Sequence, residues 1–165
     1  MGIDDILAKK GKYSGILIDT NLLLLLLIGS FDPSQIGKNK RLKKFSESDF
    51  RILKKLTILF QEKIVVTTHI ITEICNLSDN YNSEIDFKFF VFLKEILSRY
   101  LEKQEKSITI IERNETAFYK LGIADASITD LAKQNTLIIT DDLKLYHYIS
   151  SLNYDAINYN HLLQL

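Results

Sequence analysis

The chain has 165 residues, with 21 Lys and Arg against 21 Asp and Glu, a formal net charge of +0 and a pI near 6.8. Hydrophobic residues make up 46% and charged residues 25%, which is ordinary for globular proteins and excludes a wholly disordered chain. The length predicts one domain. Zero net charge excludes a basic field over the whole molecule, so any nucleic-acid binding must come from local patches.

The single cysteine, Cys75, excludes an internal disulfide and a thiolate zinc site, and it favours a reducing, cytoplasmic environment. Charged residues interrupt positions 1–12, unlike the apolar stretch of a signal peptide. Residues 16–28 include six consecutive leucines, but the segment is only 13 residues long and contains Asp19. Because a membrane-spanning helix needs about 18 or more apolar residues, we expect no membrane association.

In the first half of the chain, residues 15–18 form an apolar run that predicts a strand buried on both faces. A helix is predicted over residues 22–28, and Gly29 would close it. Residues 31–45 contain the only proline and predict an exposed, mobile loop. Ser46 would cap a helix over 47–62, and 64–66 predict a second strand. Thr67 or Thr68 would cap a helix ending at Leu77.

In the second half, residues 83–106 predict one long amphipathic helix, and 108–111 predict a third strand. A helical turn at 115–121 ends at Gly122, and a helix follows over 125–134. Residues 136–139 predict a fourth strand, 142–151 a helix, and 156–157 a last, edge strand. This alternation predicts a single three-layer α/β/α domain over residues 1–165, with a core at about 15–158 and a central, mainly parallel sheet of four to five strands.

Acidic residues lie where the predicted strands end. Asp19 follows the first strand, and Thr140, Asp141 and Asp142 end the fourth. Glu73 lies on the helix after the second strand, and Asp125 begins the helix before the fourth. Ligands of open α/β sheets bind at the carboxyl ends of the strands, so these acids converge on one edge. Neighbouring carboxylates repel one another, and oxygen-only ligands favour Mg²⁺ or Mn²⁺.

Three of the acids also have a purely structural interpretation. Asp19 could cap the leucine helix, Glu73 could face solvent, and Asp125 could complement a helix dipole. Asp141 competes with Asp142 for the role of fourth ligand. His69 lies one helical turn before Glu73, but the sequence offers no third nitrogen ligand to complete a histidine site.

A basic insertion is predicted at about residues 30–56. Residues 38–55 hold eight cationic and two anionic side chains, a local charge of +6. Such a run is commonly a solvated surface, but beside an acidic pocket it also predicts a track for a nucleic-acid backbone. The candidate RNA-binding residues are Lys38, Lys40, Arg41, Lys43, Lys44 and Arg51.

Four segments resemble, in order and spacing, the signature of PIN domains: 18–21 (IDTN), 72–74 (TEI), 122–126 (GIADA) and 139–142 (ITDD). The resemblance implies a metal-dependent ribonuclease that cleaves RNA by metal-activated water, and several such proteins are toxins of toxin–antitoxin pairs. It implies Asp19, Glu73, Asp125 and Asp142 as catalytic metal ligands, with Asn21 and Thr140 as polar helpers. It favours Asp142 over Asp141.

The resemblance also implies Mg²⁺ or Mn²⁺ as cofactor, a homodimer, and a cognate antitoxin or another protein partner. Its alternative is a catalytically inactive PIN-like module that binds RNA or a protein. A phosphatase of the haloacid-dehalogenase type also has Asp after its first strand, but it requires a second Asp two residues later. Asn21 stands there, which disfavours that class.

Overall fold

A five-stranded, all-parallel sheet forms the centre of the computed structural model. The structure describes residues 3–60, 63–77 and 83–163. The spatial order of the strands is β3-β2-β1-β4-β5, so β1 is central and its two neighbours are β2 and β4. The strands are β1 (Gly15–Ile18), β2 (Ile64–Thr67), β3 (Leu101–Lys103), β4 (Thr136–Thr140) and β5 (Ala156–Asn158).

Helices flank the sheet and complete the predicted three-layer α/β/α arrangement. Parallel strands need crossover connections, and helices supply these connections while covering the apolar faces of the sheet. The helices are α1 (Ile3–Ala8), α2 (Thr20–Phe31), α3 (Glu47–Leu59), α4 (Thr68–Leu77), α5 (Ser83–Leu97), α6 (Ser107–Arg113), α7 (Glu115–Leu121), α8 (Ile123–Ala132), α9 (Leu143–Ser151) and α10 (Tyr159–Leu162).

Strand β1 and helix α2 form the centre of the core. All four residues of β1 are buried, as are the six leucines of α2. Gly29 does not end the helix, which continues to Phe31, so the prediction of a C-cap there was wrong. A Cβ atom built at Gly29 would lie 2.6 Å from Cγ of Phe50, so glycine permits the close approach of α2 and α3. Of the helices in the described ranges, none is long and apolar enough to cross a bilayer.

The segment from Phe31 to Phe45 is not a wholly exposed loop, which corrects the prediction. It contains a 3-10 helix over Pro33–Lys38 and then a series of turns. Leu42 is fully buried, and Ile36 and Phe45 also belong to the core. All the cationic side chains of the segment are exposed, whereas its apolar residues Ile36, Leu42 and Phe45 pack against the domain.

Helix α3 begins as predicted. Ser46 accepts a hydrogen bond from the Asp49 amide, and the Asp49 carboxylate accepts one from the Ser46 amide, which makes a capping box. The helix ends at Leu59, and its predicted end, Glu62, lies outside the described residues. Thr67 rather than Thr68 caps α4, since its hydroxyl accepts from the Ile70 amide. The polar run predicted to follow α4, residues 78–80, also lies outside the described residues.

The third strand and the long helix were predicted wrongly. Helix α5 ends at Leu97 rather than at residue 106, and β3 follows at Leu101–Lys103. This edge strand is exposed at every residue, so no apolar run marks it, and pairing with β2 holds it in place. Residues 108–111 belong to α6, where Ile110 is buried in a cluster with residues of α7 and α8. A short apolar run does not distinguish a strand from a buried helix.

The C-terminal third follows the prediction closely. Gly122 has a φ of 94° and separates α7 from α8, a conformation that glycine adopts without strain. Helix α8 begins at Ile123 and ends at Ala132, two residues earlier at each end than predicted. Strand β4 is buried throughout, and β5 forms the predicted edge strand beside it. Both β1 and β4 therefore end at the same edge, beside the start of α8.

Candidate active site

An open cavity of about 350 Å³ lies where β1 and β4 end. Five residues predicted for the site line it, namely Asp19, Asn21, Glu73, Asp125 and Asp142. Its other lining residues are Thr20, Arg41, Asn76, Ile128 and Leu145. Four carboxylates that are far apart in the sequence therefore share one cavity. Asn76 was missed, although its position three residues after Glu73 places it on the same face of α4.

Asp19 is buried and is held by hydrogen bonds to both carboxylate oxygens. Oδ1 accepts from the Leu22 amide at 3.0 Å, so Asp19 caps α2 as well as lining the cavity. Oδ2 accepts from the Asp141 amide at 2.9 Å and from the Thr140 hydroxyl. Burial and then the Asp141 carboxylate raise the pKa of Asp19 to about 7, and the hydrogen bonds oppose the shift.

Thr140 does not line the cavity, although it was predicted as a polar helper. It is fully buried at the end of β4. Its hydroxyl donates to Asp19 and accepts from the Asp142 amide at 2.9 Å. Thr140 therefore connects two of the four acids from behind and sets their relative position.

The adjacent residues Asp141 and Asp142 have different environments. The Asp141 side chain is only 1% exposed, makes an ion pair with Lys44 and does not line the cavity. Its Oδ1 atom has no hydrogen-bond partner among the described residues. Asp142 is exposed at the cavity, where its Oδ1 accepts from the Lys144 amide at 2.6 Å and the Leu145 amide at 3.1 Å. Asp142 is thus the one of the two that faces the cavity.

Glu73 and Asp125 complete the ring of acids from α4 and α8. Glu73 is exposed and accepts a hydrogen bond from the Thr20 hydroxyl at 2.5 Å. Asp125 lies in the first turn of α8. Burial, followed by the charges of Asp142 and Glu73, raises the pKa of Asp125 to about 6. The cavity therefore carries negative charge that the surrounding protein does not fully compensate.

The chemistry of the lining bears on whether a divalent cation could be held in the cavity. Within the described ranges, no three His, Cys, Asp or Glu side chains are close enough to hold a metal ion on their own. The lining nevertheless offers carboxylate, amide and hydroxyl oxygens, which hard cations prefer. Mg²⁺ commonly keeps several waters and uses only one or two carboxylates. Such an ion would offset the like charges of Asp142 and Glu73, which together with burial raise the pKa of Asp125. His69 lines a different cavity, with Thr67 and Lys103.

The predicted RNA-binding cations divide into groups with different environments. Lys38, Lys40 and Lys43 are exposed and lie away from the cavity lining. Lys44 makes an ion pair with the buried Asp141. Arg51 makes an exposed ion pair with Glu47, in which a guanidinium nitrogen lies 3.5 Å from a carboxylate oxygen. Arg41 alone of the six lines the acidic cavity.

Comparison with known proteins does not identify the chain. No protein-family model, no curated protein and no solved structure matches it. The resemblance to PIN domains therefore stays a prediction from the sequence.

Proposed function

We propose that this protein is a Mg²⁺- or Mn²⁺-dependent phosphodiesterase that cleaves RNA internally. One observation carries the proposal: four carboxylates from four separate segments line a single open cavity at the carboxyl edge of a parallel sheet. Two of them have raised pKa values: Asp19 because of burial and the charge of Asp141 behind it, and Asp125 because of burial and the charges of Asp142 and Glu73. Maintaining such charge costs stability, and a bound cation would offset that cost.

Asp19, Glu73, Asp125 and Asp142 would hold the cation, with Asn21 orienting its neighbour Asp19 or a water. The cation would supply Lewis-acid activation of a phosphodiester and of the attacking water. The protein would hold the carboxylates in fixed positions around that cation. Thr140 and two backbone amides fix the Asp19 carboxylate, Thr20 fixes that of Glu73, and the start of α9 fixes that of Asp142.

The cationic segment supports nucleic acid as the substrate. Lys38, Lys40 and Lys43 are exposed on the same segment that brings Arg41 to the cavity. Contacts of this kind attract the phosphate backbone of any sequence. A phosphodiester drawn along the segment would reach the acidic cavity.

The decisive experiment incubates a labelled RNA oligonucleotide with the purified chain in Mn²⁺, in Mg²⁺ or in EDTA. We expect cleavage with either metal, none in EDTA, and none with Asp19→Asn in any of the three. The Asp19→Asn preparation also controls for contaminating nucleases. Asp4→Asn, at an exposed position that does not line the cavity, is purified in parallel and should cleave like the wild type, so that the loss in Asp19→Asn is not due to an Asp→Asn substitution as such. Cleavage that persists in EDTA and in Asp19→Asn would refute the proposal.

The toxin role follows from the same resemblance and is part of the proposal, together with a cytoplasmic location, a homodimer and an antitoxin partner. Induced expression of the wild-type chain in a bacterial host should arrest growth, while Asp19→Asn at equal abundance should not. Equal growth with both proteins would contradict the toxin role and leave the nuclease test unaffected.

A second candidate is a catalytically inactive module that binds RNA or a protein. The observation in its favour is that, over the described part of the chain, no three ligating side chains are arranged to hold a metal by themselves. Calorimetric titration with Mn²⁺ separates the two candidates. The nuclease requires saturable binding that Asp125→Asn weakens, whereas an inactive module requires none.

A further inference from the structure

We propose that Arg41 binds a phosphodiester group of RNA at the rim of the acidic cavity and so holds the substrate in position. The inference rests on the proposed function and deepens it, because it assigns the contact between enzyme and substrate to one side chain. It gives Arg41 a different role from the other cations of residues 38–55. Those would attract RNA through their charge but would not hold a phosphate group at the cavity.

The first observation is the position of Arg41. It is the only cation among the described residues that line the cavity, and four of the others are acidic. Its side chain is exposed. Over residues 3–60, 63–77 and 83–163, the guanidinium makes no ion pair with an acid and no hydrogen bond, so its donors are available to an incoming anion.

The second observation is that the backbone below Arg41 is held in place although the side chain is exposed. The Arg41 amide donates to the Asn39 side chain at 2.9 Å, and both Asn39 and the next residue, Leu42, are fully buried. Two residues further on, Lys44 is anchored by its ion pair with the buried Asp141. A binding group on an anchored backbone loses less conformational freedom when it orders around a ligand.

The third consideration is charge. A phosphodiester approaching four carboxylates is repelled even when one divalent cation is present, since that ion balances only two of the charges. A guanidinium at the rim lowers this repulsion locally. Its planar fork also matches two phosphate oxygens, which a lysine ammonium cannot match in the same way. Arg41 therefore suits the task of holding a phosphate group against the cavity.

Binding is tested directly by NMR of the arginine Nε–Hε groups in the wild-type chain. The probe is a 2′-O-methyl oligoribonucleotide, which resists cleavage, added in the presence of Mg²⁺. The Arg41 resonance, assigned with Arg41→Gln, should shift on titration, while that of Arg99, which pairs with Glu95, should stay in place. A stationary Arg41 resonance overturns the inference, whether or not other residues respond.

Kinetics test the positioning role. Arg41→Gln should raise KM for an RNA oligonucleotide about tenfold to hundredfold, as expected for a lost charge-assisted hydrogen bond. The value of kcat should change less than threefold. Arg41→Lys should recover part of the loss, and Arg99→Gln, which removes the same charge elsewhere, should behave like the wild type. Equal KM values for Arg41→Gln and Arg99→Gln overturn the inference.

The two proposals fail in different ways. Wild-type protein without metal-dependent cleavage refutes the nuclease, and the NMR titration then still decides whether Arg41 binds the oligonucleotide. Wild-type cleavage with an unaffected Arg41→Gln variant retains the nuclease and refutes the role of Arg41. A thermal melt of Arg41→Gln should match that of the wild type, because the guanidinium has no hydrogen bond or ion pair to lose within the described residues.

Discussion

Helix α8 carries two acidic residues with opposite environments, five positions apart. Asp130 is buried with partners on both oxygens, since Oδ1 accepts from Asn114 at 3.0 Å and Oδ2 from Gln134 at 3.2 Å. Arg113 lies 3.6 Å from the same carboxylate. Asp125 instead faces the like charges of Asp142 and Glu73, which raise its pKa.

The difference separates a structural carboxylate from a functional candidate. A buried charge with a full set of donors contributes to stability, and removing it leaves those donors unpaired. A charge held among like charges opposes folding, and groups with such raised pKa values occur most often at functional sites. The two ends of α8 therefore predict opposite responses to the same Asp→Asn substitution.

The largest expected difference is in cleavage of RNA. Asp125→Asn should lower the initial rate at least about a hundredfold, because it removes a preorganised charge at the proposed cation site. Asp130→Asn, on the far side of α8, should cleave within about twofold of the wild type. Both rates are measured with Mn²⁺ at pH 7.5. Equal losses in the two variants would mean that α8 matters only as a scaffold.

Urea unfolding should show the next largest effect. Asp130→Asn should lower the free energy of unfolding by about 1–3 kcal/mol, because an amide offers one acceptor oxygen where the carboxylate offers two. Gln134 is exposed and can bond to water, so the cost falls on the buried pair with Asn114 and on the lost charge beside Arg113. An unchanged midpoint would show that the hydrogen bonds of Asp130 add nothing to stability.

In metal-free protein, Asp125→Asn should change the free energy of unfolding in the opposite direction and stabilise the fold. Its folded pKa of about 6 lies above the ordinary value of 3.8, so its charge destabilises the fold as pH rises through that interval. At pH 7.5 the substitution should raise the free energy of unfolding by about 1–2 kcal/mol, after allowance for solvent screening. At pH 3 the advantage should vanish, because the carboxyl group is then protonated in both states. A variant less stable than the wild type at pH 7.5 would contradict this account.

The smallest expected effect is stabilisation by metal. Mn²⁺ at about ten times its dissociation constant should add about 1.4 kcal/mol to the wild type, which corresponds to a Tm increase of about 3–6 °C. Asp130→Asn should show the same increase, and Asp125→Asn a smaller one or none. Differential scanning fluorimetry measures the Tm values. Parallel samples with Ca²⁺ or Na⁺ in place of Mn²⁺ show whether any salt has the same effect. Equal increases in all three proteins would argue against Asp125 as a ligand.

Much of the sheet could be predicted because four of its strands are short apolar runs. Those at 15–18, 64–66 and 136–139 are buried completely, as expected for the central strands of a parallel sheet covered on both faces. Strand β3 is the exception, since Leu101, Glu102 and Lys103 are all exposed and only pairing with β2 makes them a strand. The apolar run at 108–111 was wrongly predicted as a strand, because its buried residue packs against helices and not within the sheet.

The candidate site was predicted in part. Asp19 and Asp142 follow strands directly, so the topology of a parallel sheet was enough to bring them together. Arg41 was predicted among surface cations, and its place at the cavity depends on the turns that bury Leu42. Lys44 and Asp141 form an ion pair although they are 97 positions apart in the sequence, so no local sequence pattern predicts it.

The sequence by itself determined the fold class, the position of the central strands and the set of acids at their ends. These features depend on local composition and on the rule that parallel strands end at a common edge. Only the tertiary structure decided where the edge strand lies, that Asp142 and not Asp141 faces the cavity, and that Arg41 reaches it. Each of these depends on which distant segment packs against a residue, because pairing, burial and counter-charges are supplied across the fold and not along the chain.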